Sequence, residues 1–135
     1  MRNYLFLLVL LFLSSCGKKE NKDVEACLAN QPDHSSFMLD TINTNKWDSV
    51  YVMGPYQYEN LEKSIPYLSS NLKKKFKQTA MLDTCCTLIF VRNQKVVSYS
   101  TIKRDIADFS SLGSKIGYSS KQNYHIVAFR KINAI

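Results

Sequence analysis

Three cysteines that follow the N-terminal segment, Cys27, Cys85 and Cys86, could take part in sulfur chemistry. Neighbouring residues of a strand point to opposite faces, so Cys85 and Cys86 are poorly placed to bond each other. In a compartment that permits oxidation, Cys27 can pair with either of them. The remaining thiol then serves as a small buried apolar side chain. The sequence therefore predicts at most one disulfide.

The spacing of the cysteine, histidine and acidic residues gives little support for a metal site or for acid–base catalysis. A metal site made of Cys27, His34 and Cys85 would lack the short ligand spacings that hold zinc, and His125 has no evident partner for work as a general base. No nucleophile-elbow, zinc-protease or phosphate-loop motif occurs. Two pairs of carboxylates share a helix face in the manner of capping or solubilising residues, Asp105 with Asp108 and Glu59 with Glu62. We therefore expect no metal, no cofactor and no enzymatic activity.

Aromatic side chains gather where a predicted strand turns into a predicted helix. Rings with polar tips are favoured at recognition surfaces, and a helix start can hold an anion through its free backbone N–H groups. The candidate binding surface consists of Tyr51, Pro55, Tyr56 and Tyr58. The alternative, which the pattern favours, is that Trp47 and Tyr51 belong to the core and that Gly-Pro-Tyr only shapes the turn.

The N-terminal segment has the features of an export signal. Arg2 is the only charged residue before Lys18, and residues 4–13 form an unbroken apolar run, YLFLLVLLFL. A helix needs about 20 apolar residues to cross a membrane, so this shorter run fits the core of a secretory signal. The run ends in Leu13-Ser14-Ser15-Cys16, which resembles the lipobox of bacterial lipoprotein precursors.

The lipobox resemblance implies a lipid anchor. It places a thioether-linked diacylglycerol on Cys16, with cleavage before that residue and acylation of the new amine. Two or three acyl chains hold a protein on a membrane essentially permanently. Gly17, rather than an aspartate, follows the cysteine, and by resemblance to known sorting behaviour this favours the outer membrane in a cell that has two. We expect a protein of the cell envelope, outside the cytoplasm, with the membrane as a partner.

Charge and length set the domain organisation. Removal of residues 1–15 lowers the net charge of +7 by one, because only Arg2 is lost. The basic run at 73–77 reads as a solvated helix face, and an exported protein has no nucleic acid to bind. The length indicates one domain. We predict three parts: a signal peptide at 1–15, the lipidated cysteine and a polar tether at 16–46, and a single domain at 47–135.

A helical stripe follows the first predicted strand, at 50–53. Its apolar residues are spaced four, three, four and four apart, which places them on one helix face: Leu61, Ile65, Leu68, Leu72 and Phe76. Pro66 interrupts the stripe. We predict two short helices or one bent helix, with Pro66 as the first residue of the second. Within the tether, residues 23–29 allow a further short helix.

A hairpin is the clearest supersecondary signal. Residues 84–91 and 96–102 are rich in strand formers, and Asn93 tolerates the left-handed geometry of the turn between them. One turn of helix is expected within 104–112 and a last strand at 124–132. The order favours the α+β class: a small two-layer domain whose mostly antiparallel sheet, of about four strands, is packed by one bent or two short helices.

A resemblance covers most of the predicted domain. The segments that carry it are WDSVYVMGPY at 47–56, Lys95-Val96-Val97 at the hairpin and Asp108-Phe109-Ser110. They resemble a recurring group of small bacterial lipoproteins that has no established activity, so the resemblance implies kinship and no catalytic residue. The expected role is a non-catalytic interaction or assembly protein of the envelope. The alternatives are a binding module for a small or anionic envelope ligand and an inhibitor of an extracytoplasmic enzyme.

Overall fold

The computed structural model describes residues 20–114, 116–127 and 130–135, which fold as a small α+β domain. Its elements are, in chain order, α1 Asp23–Ala29, β1 Ser36–Met38, α2 Leu39–Ile42, β2 Ser49–Met53, α3 Tyr58–Ser64, α4 Ser70–Thr79, β3 Cys85–Arg92, β4 Lys95–Lys103, a 3₁₀ turn Ser110–Leu112, β5 Tyr118–Ser119, β6 Asn123–Ile126 and β7 Ile132–Ala134. The predicted fold class is confirmed.

The larger sheet has the strand order β4-β3-β2-β5, with every neighbouring pair antiparallel. The predicted hairpin, β3 with β4, supplies one central strand and one edge strand of this sheet. Asn93 and Gln94 connect β3 to β4 with φ angles of 49° and 59°, as a two-residue type I′ turn requires. Because side chains alternate along each strand, this sheet presents one apolar set to each of its two faces.

Helices α3 and α4 cover one face of the larger sheet. The whole predicted stripe is buried there against Met53, Ile89, Val91, Val96 and Tyr99. Two short helices are confirmed. Pro66 does not begin the second one but lies in the connection; α4 starts after Ser69, whose hydroxyl accepts a hydrogen bond from the N–H of Leu72 at 3.4 Å, because serine is a favoured N-cap residue.

A second sheet, of order β1-β6-β7, lies with α1 and α2 on the other face. This second sheet was not predicted. Val50, Val52, Leu88 and Phe90 of the larger sheet share one buried cluster with a set from the second layer: Val24, Leu28, Phe37, Leu39, Tyr124, Ile126 and Ile132. The larger sheet is therefore buried on both faces.

The predicted tether is wrong over residues 20–46, which belong to the fold. Val24 and Leu28 of α1 are completely buried, and β1 pairs with β6. Glu20 forms a parallel bridge with Tyr99 on the edge strand β4, so this segment covers an edge that would otherwise lack hydrogen-bond partners. The domain thus includes residues before Trp47. The signal peptide at 1–15, Cys16 and the first tether residues lie outside the described residues.

The predicted last strand is two strands. β6 and β7 pair with each other, and the N–H of Val127 donates to the carbonyl of Lys131 at 2.8 Å where the chain reverses. The helical turn expected within residues 104–112 is the short 3₁₀ turn Ser110–Leu112. Gly113 ends this turn with a φ of 72°. Within the described ranges, no helix is both long and apolar enough to cross a membrane.

Candidate functional site

The end of the larger sheet opposite the hairpin turn, here called the open end, holds a cavity. β3 begins and β4 ends there, with Cys85 opposite Lys103, and β2 also ends there because Met53 pairs with Thr87. The cavity measures about 440 Å³ and is lined by Thr84, Cys85, Lys103, Arg104 and Asp105. A hollow of about 290 Å³ shares Cys85 and Lys103 with it and extends to Glu20, Lys22, Glu25 and Thr101.

Arg104 is held in the cavity wall by fixed partners. Its Nη2 lies 3.0 Å from Oδ2 of Asp108, and its Nη1 donates to the carbonyl of Asp83 at 2.9 Å. The backbone N–H of Ser110 donates to the other carboxylate oxygen of Asp108 at 3.0 Å. The guanidinium is therefore a fixed positive group beside the cavity, with part of its charge already neutralised.

The electrostatics of Asp108 and Cys86 are coupled. Burial alone would raise the pKa of Asp108, but the hydrogen bonds from Arg104 and Ser110 outweigh it and lower this pKa to about 2. Burial, and then the neighbouring carboxylate, raise the pKa of the Cys86 thiol to about 12. Cys86 is therefore a neutral thiol at pH 7, and its Sγ lies 3.8 Å from Oδ1 of Asp108 as a weak donor. It cannot serve as a thiolate nucleophile there.

The predicted disulfide is not formed in the structure, where Cys27, Cys85 and Cys86 are free thiols. Val24 and Leu28 turn the inner side of α1 to the core, so Cys27 lies exposed on its outer side. Cys86 is buried in the core beneath, and Cys85 is half-buried at the open-end cavity. The expectation that the two neighbours occupy opposite faces of the strand is confirmed.

The structure divides the predicted aromatic surface. Tyr51 and Tyr58 are half-buried against the cluster beneath α3 and α4, and the ring of Tyr51 lies so close to Gly117 that a Cβ there would be 2.9 Å from Cζ. Pro55 is half-buried in the turn. Tyr56 alone points outward, with 64% of its surface exposed.

Tyr56 belongs to a small apolar surface at the open end, here called the distal patch. It also contains Met81 and Leu82, which are 66% and 49% exposed. The N–H of Tyr56 donates to the carbonyl of Ala80 at 2.7 Å, which joins the strand-to-helix turn to the end of α4. A hydrogen bond with Asp83 raises the pKa of the Tyr56 phenol. Sequence reasoning missed Met81 and Leu82, although both fall outside the register of the buried stripe.

A serine–histidine contact that the sequence did not suggest lies on the smaller sheet. Ser36 and His125 are cross-strand partners, with Oγ and Nδ1 3.1 Å apart. Among the described residues no third group orients the imidazole, and the pair lines neither cavity. His34 is exposed, with a φ of 60°. The pair therefore has the geometry of a surface hydrogen bond rather than of an assembled triad.

The two carboxylate pairs that share a helix face in the sequence pattern are separated by their surroundings in the structure. Asp108 pairs with Arg104, while Asp105 is exposed. Glu62 lies 3.2 Å from Lys73, and Glu59 is exposed at the start of α3. Within the part of the chain that the structure describes, no group of three histidine, cysteine or acidic side chains could hold a metal ion.

Comparisons of the chain with protein-family models, with curated proteins and with solved structures found no match.

Proposed function

We propose that the chain is a lipid-anchored protein of the cell envelope that binds a partner protein through its distal patch, without catalysing a reaction. The observation that carries this proposal is that Tyr56, Met81 and Leu82 are exposed, while the hydrogen bond from Tyr56 to Ala80 holds Tyr56 beside the segment that contains the other two. Exposed apolar groups that adjoin one another mark interaction surfaces, and aromatic residues and methionine are enriched at the centres of such surfaces.

The backbone of Tyr56 supports the same assignment. Its φ of 59° lies in the left-handed region, which costs a bulky residue on the order of 1–3 kcal/mol and persists only where the surroundings enforce it. The hydrogen bond to Ala80 provides that enforcement. Backbone strain of this kind clusters at functional sites, which agrees with a binding role for Tyr56.

Site-specific photocrosslinking in cells tests the binding surface. A photoreactive amino acid replaces Met81 in one variant and Lys74 in the control, because Lys74 is also exposed but lies on the outer side of α4. We expect one discrete adduct from position 81, none from position 74, and loss of the adduct in the double variant Tyr56→Ser, Leu82→Ser. Identical adducts from both positions, or none from position 81, would refute the proposal. An adduct of twice the mass of the chain identifies a second copy as the partner, and an adduct with an extracytoplasmic enzyme supports the inhibitor alternative.

The anchor rests on Leu13-Ser14-Ser15-Cys16 after a short apolar run. Metabolic labelling with a fatty-acid analogue should mark the wild-type protein, and Cys16→Ala should abolish both the label and normal processing. Cys27→Ala is the matched control, since Cys27 is an exposed cysteine that follows no apolar run. Equal labelling of wild type and Cys16→Ala would refute the anchor.

The open-end cavity supports a second candidate function, the binding of a small anion. Two cations, Lys103 and the partly neutralised Arg104, line it together with one carboxylate, Asp105, and its volume of about 440 Å³ lies within the range typical of ligand sites. Inorganic phosphate should then raise the melting temperature of the wild type and leave that of Lys103→Gln unchanged. The same shift in both proteins would exclude this site.

A further inference from the structure

Glu20 fixes how far the fold lies from the proposed anchor. It bridges to Tyr99, and the N–H of Asn21 donates to the Tyr99 carbonyl at 2.8 Å. Cys16 stands four positions earlier in the chain, so their Cα atoms are separated by at most about 14 Å. A lipid on Cys16 therefore holds this part of the domain beside the bilayer surface instead of on a long tether.

The direction of the chain decides which end of the domain is nearest. Residues 20–25 run beside β4 from Tyr99 to Lys103, where the carboxylate of Glu25 accepts a hydrogen bond from the N–H of Lys103 at 2.9 Å. Traced backwards from Glu20, the described chain points toward Lys95 and the hairpin turn. A chain that continues in this direction reaches the end of the domain that carries the hairpin turn, and the distal patch lies at the other end.

The end of the domain that carries the hairpin turn is basic. Asp48 joins its loops, because its carboxylate accepts from the N–H of Asn93 at 3.1 Å and its carbonyl from the N–H of Ser120 at 3.0 Å. The exposed side chain of Asp48 lies among several exposed basic side chains at this end. We call this set the turn-end surface: Lys46, Arg92, Lys95 and Lys121.

We propose that the turn-end surface lies against anionic lipid headgroups of the bilayer that holds the lipid on Cys16, so that the distal patch faces away from the membrane. The proposal rests on the proposed anchor. Basic side chains are attracted to an anionic membrane surface within about one Debye length, roughly 10 Å. The short connection to Cys16 brings this surface into that range, whereas nothing holds the exposed lysines of α4 there.

Energy transfer from Trp47 measures this orientation. Trp47 is the single tryptophan of the chain and directly follows Lys46. The lipidated full-length protein is reconstituted into vesicles of phosphatidylcholine, alone or mixed with phosphatidylglycerol, each with a dansyl-labelled headgroup lipid as acceptor. We expect about twofold more transfer in the anionic vesicles, and loss of this difference in high salt.

Two triple variants with the same change of charge separate orientation from general electrostatics. Lys46→Glu, Arg92→Glu, Lys95→Glu should lower transfer in anionic vesicles to the value in neutral ones. Lys74→Glu, Lys75→Glu, Lys77→Glu, on the exposed side of α4, should leave it unchanged. If a triple variant fails to unfold cooperatively, the pair Lys95→Gln and Lys74→Gln replaces it, with the same order of effects.

The outcomes separate this proposal from the anchor on which it rests. Flotation with neutral vesicles tests the anchor alone, and a protein that does not float refutes both. A protein that floats but shows equal transfer in the two kinds of vesicle refutes only the orientation. Equal losses in the two triple variants would also overturn it, because attraction would then depend on net charge and not on the turn-end surface.

Discussion

At the scale of single residues, the Asp108 carboxylate connects three groups in the described core. It binds Arg104 and Ser110 and faces the Cys86 thiol. Its role was not predictable, because sequence spacing paired it with Asp105 on one helix face, whereas the helical turn begins only at Ser110. The chain instead turns after β4 and brings Arg104, four positions earlier, against the carboxylate. The opposite facing of Cys85 and Cys86 was predictable, since strand alternation depends on no distant residue.

Asp108→Asn should lower the free energy of unfolding by about 2 kcal/mol at pH 7, given 1.36 kcal/mol for each pH unit between folded and unfolded pKa values. The folded pKa of about 2 lies below the ordinary 3.8, so the stabilisation is present above pH 3.8 and is lost as the pH falls toward 2. Urea unfolding from pH 2 to 7 should show a flatter profile for the variant. Asp33→Asn is the control, because Asp33 also pairs with an arginine but is itself exposed. This change should lower the free energy of unfolding by less than about 1 kcal/mol. Parallel profiles for wild type and Asp108→Asn would contradict the assignment.

Two of the described thiols, those of Cys27 and Cys86, should differ in reactivity. Cys27 is exposed, whereas Cys86 is buried with its pKa raised to about 12, and thiolate formation controls reaction with a thiol reagent. In the folded protein, mass spectrometry after brief treatment with iodoacetamide should find Cys27 modified and Cys86 untouched. In denaturant both should react. Modification of Cys86 at the rate of Cys27 in the folded state would show that the core is not packed as described.

At the scale of elements, dense apolar patterns were predictable and sparse ones were not. The stripe on α3 and α4 repeats over four turns, and the hairpin strands are nearly continuous runs of strand formers. In contrast, α1 offers only Val24 and Leu28, and β1 only Phe37, within a polar stretch. These elements are stable because β4 and β6 supply their partners, and that information is distant in the chain.

Leu72→Ala should lower the free energy of unfolding by about 2–5 kcal/mol, the usual cost of removing a buried leucine. Leu72 is 7% exposed in the cluster beneath the helices. Lys74→Ala, two positions along the same helix and exposed, should change stability by less than about 0.5 kcal/mol. Thermal unfolding followed by circular dichroism measures both. A melting temperature of Leu72→Ala equal to that of wild type would mean that the stripe does not face the sheet.

At the scale of the whole molecule, the larger sheet needs both of its covering layers. A chain that begins at Trp47 lacks α1, β1 and α2, and so loses buried Val24, Leu28, Phe37 and Leu39. Such a chain should show no cooperative unfolding, since this loss exceeds the usual stability margin of about 5–15 kcal/mol. A chain that begins at Glu20 retains every described element and is the control. If the shorter chain unfolded cooperatively at the same temperature as the longer one, residues 20–46 would be a tether outside the domain after all.

The edge of β4 that residues 20–25 cover has a consequence for the timing of folding. The hydroxyl of Ser100 binds the carbonyl of Asn21 across 79 positions of sequence, and Arg130 Nη2 binds the carbonyl of Leu28 across 102. Contacts that distant form late, because the loops that they close are long. If the chain is exported from its N-terminus, as proposed above, it cannot finish folding until Arg130 has emerged. Residues 20–25 likewise stay unpaired until β4, the strand whose edge they cover, has emerged.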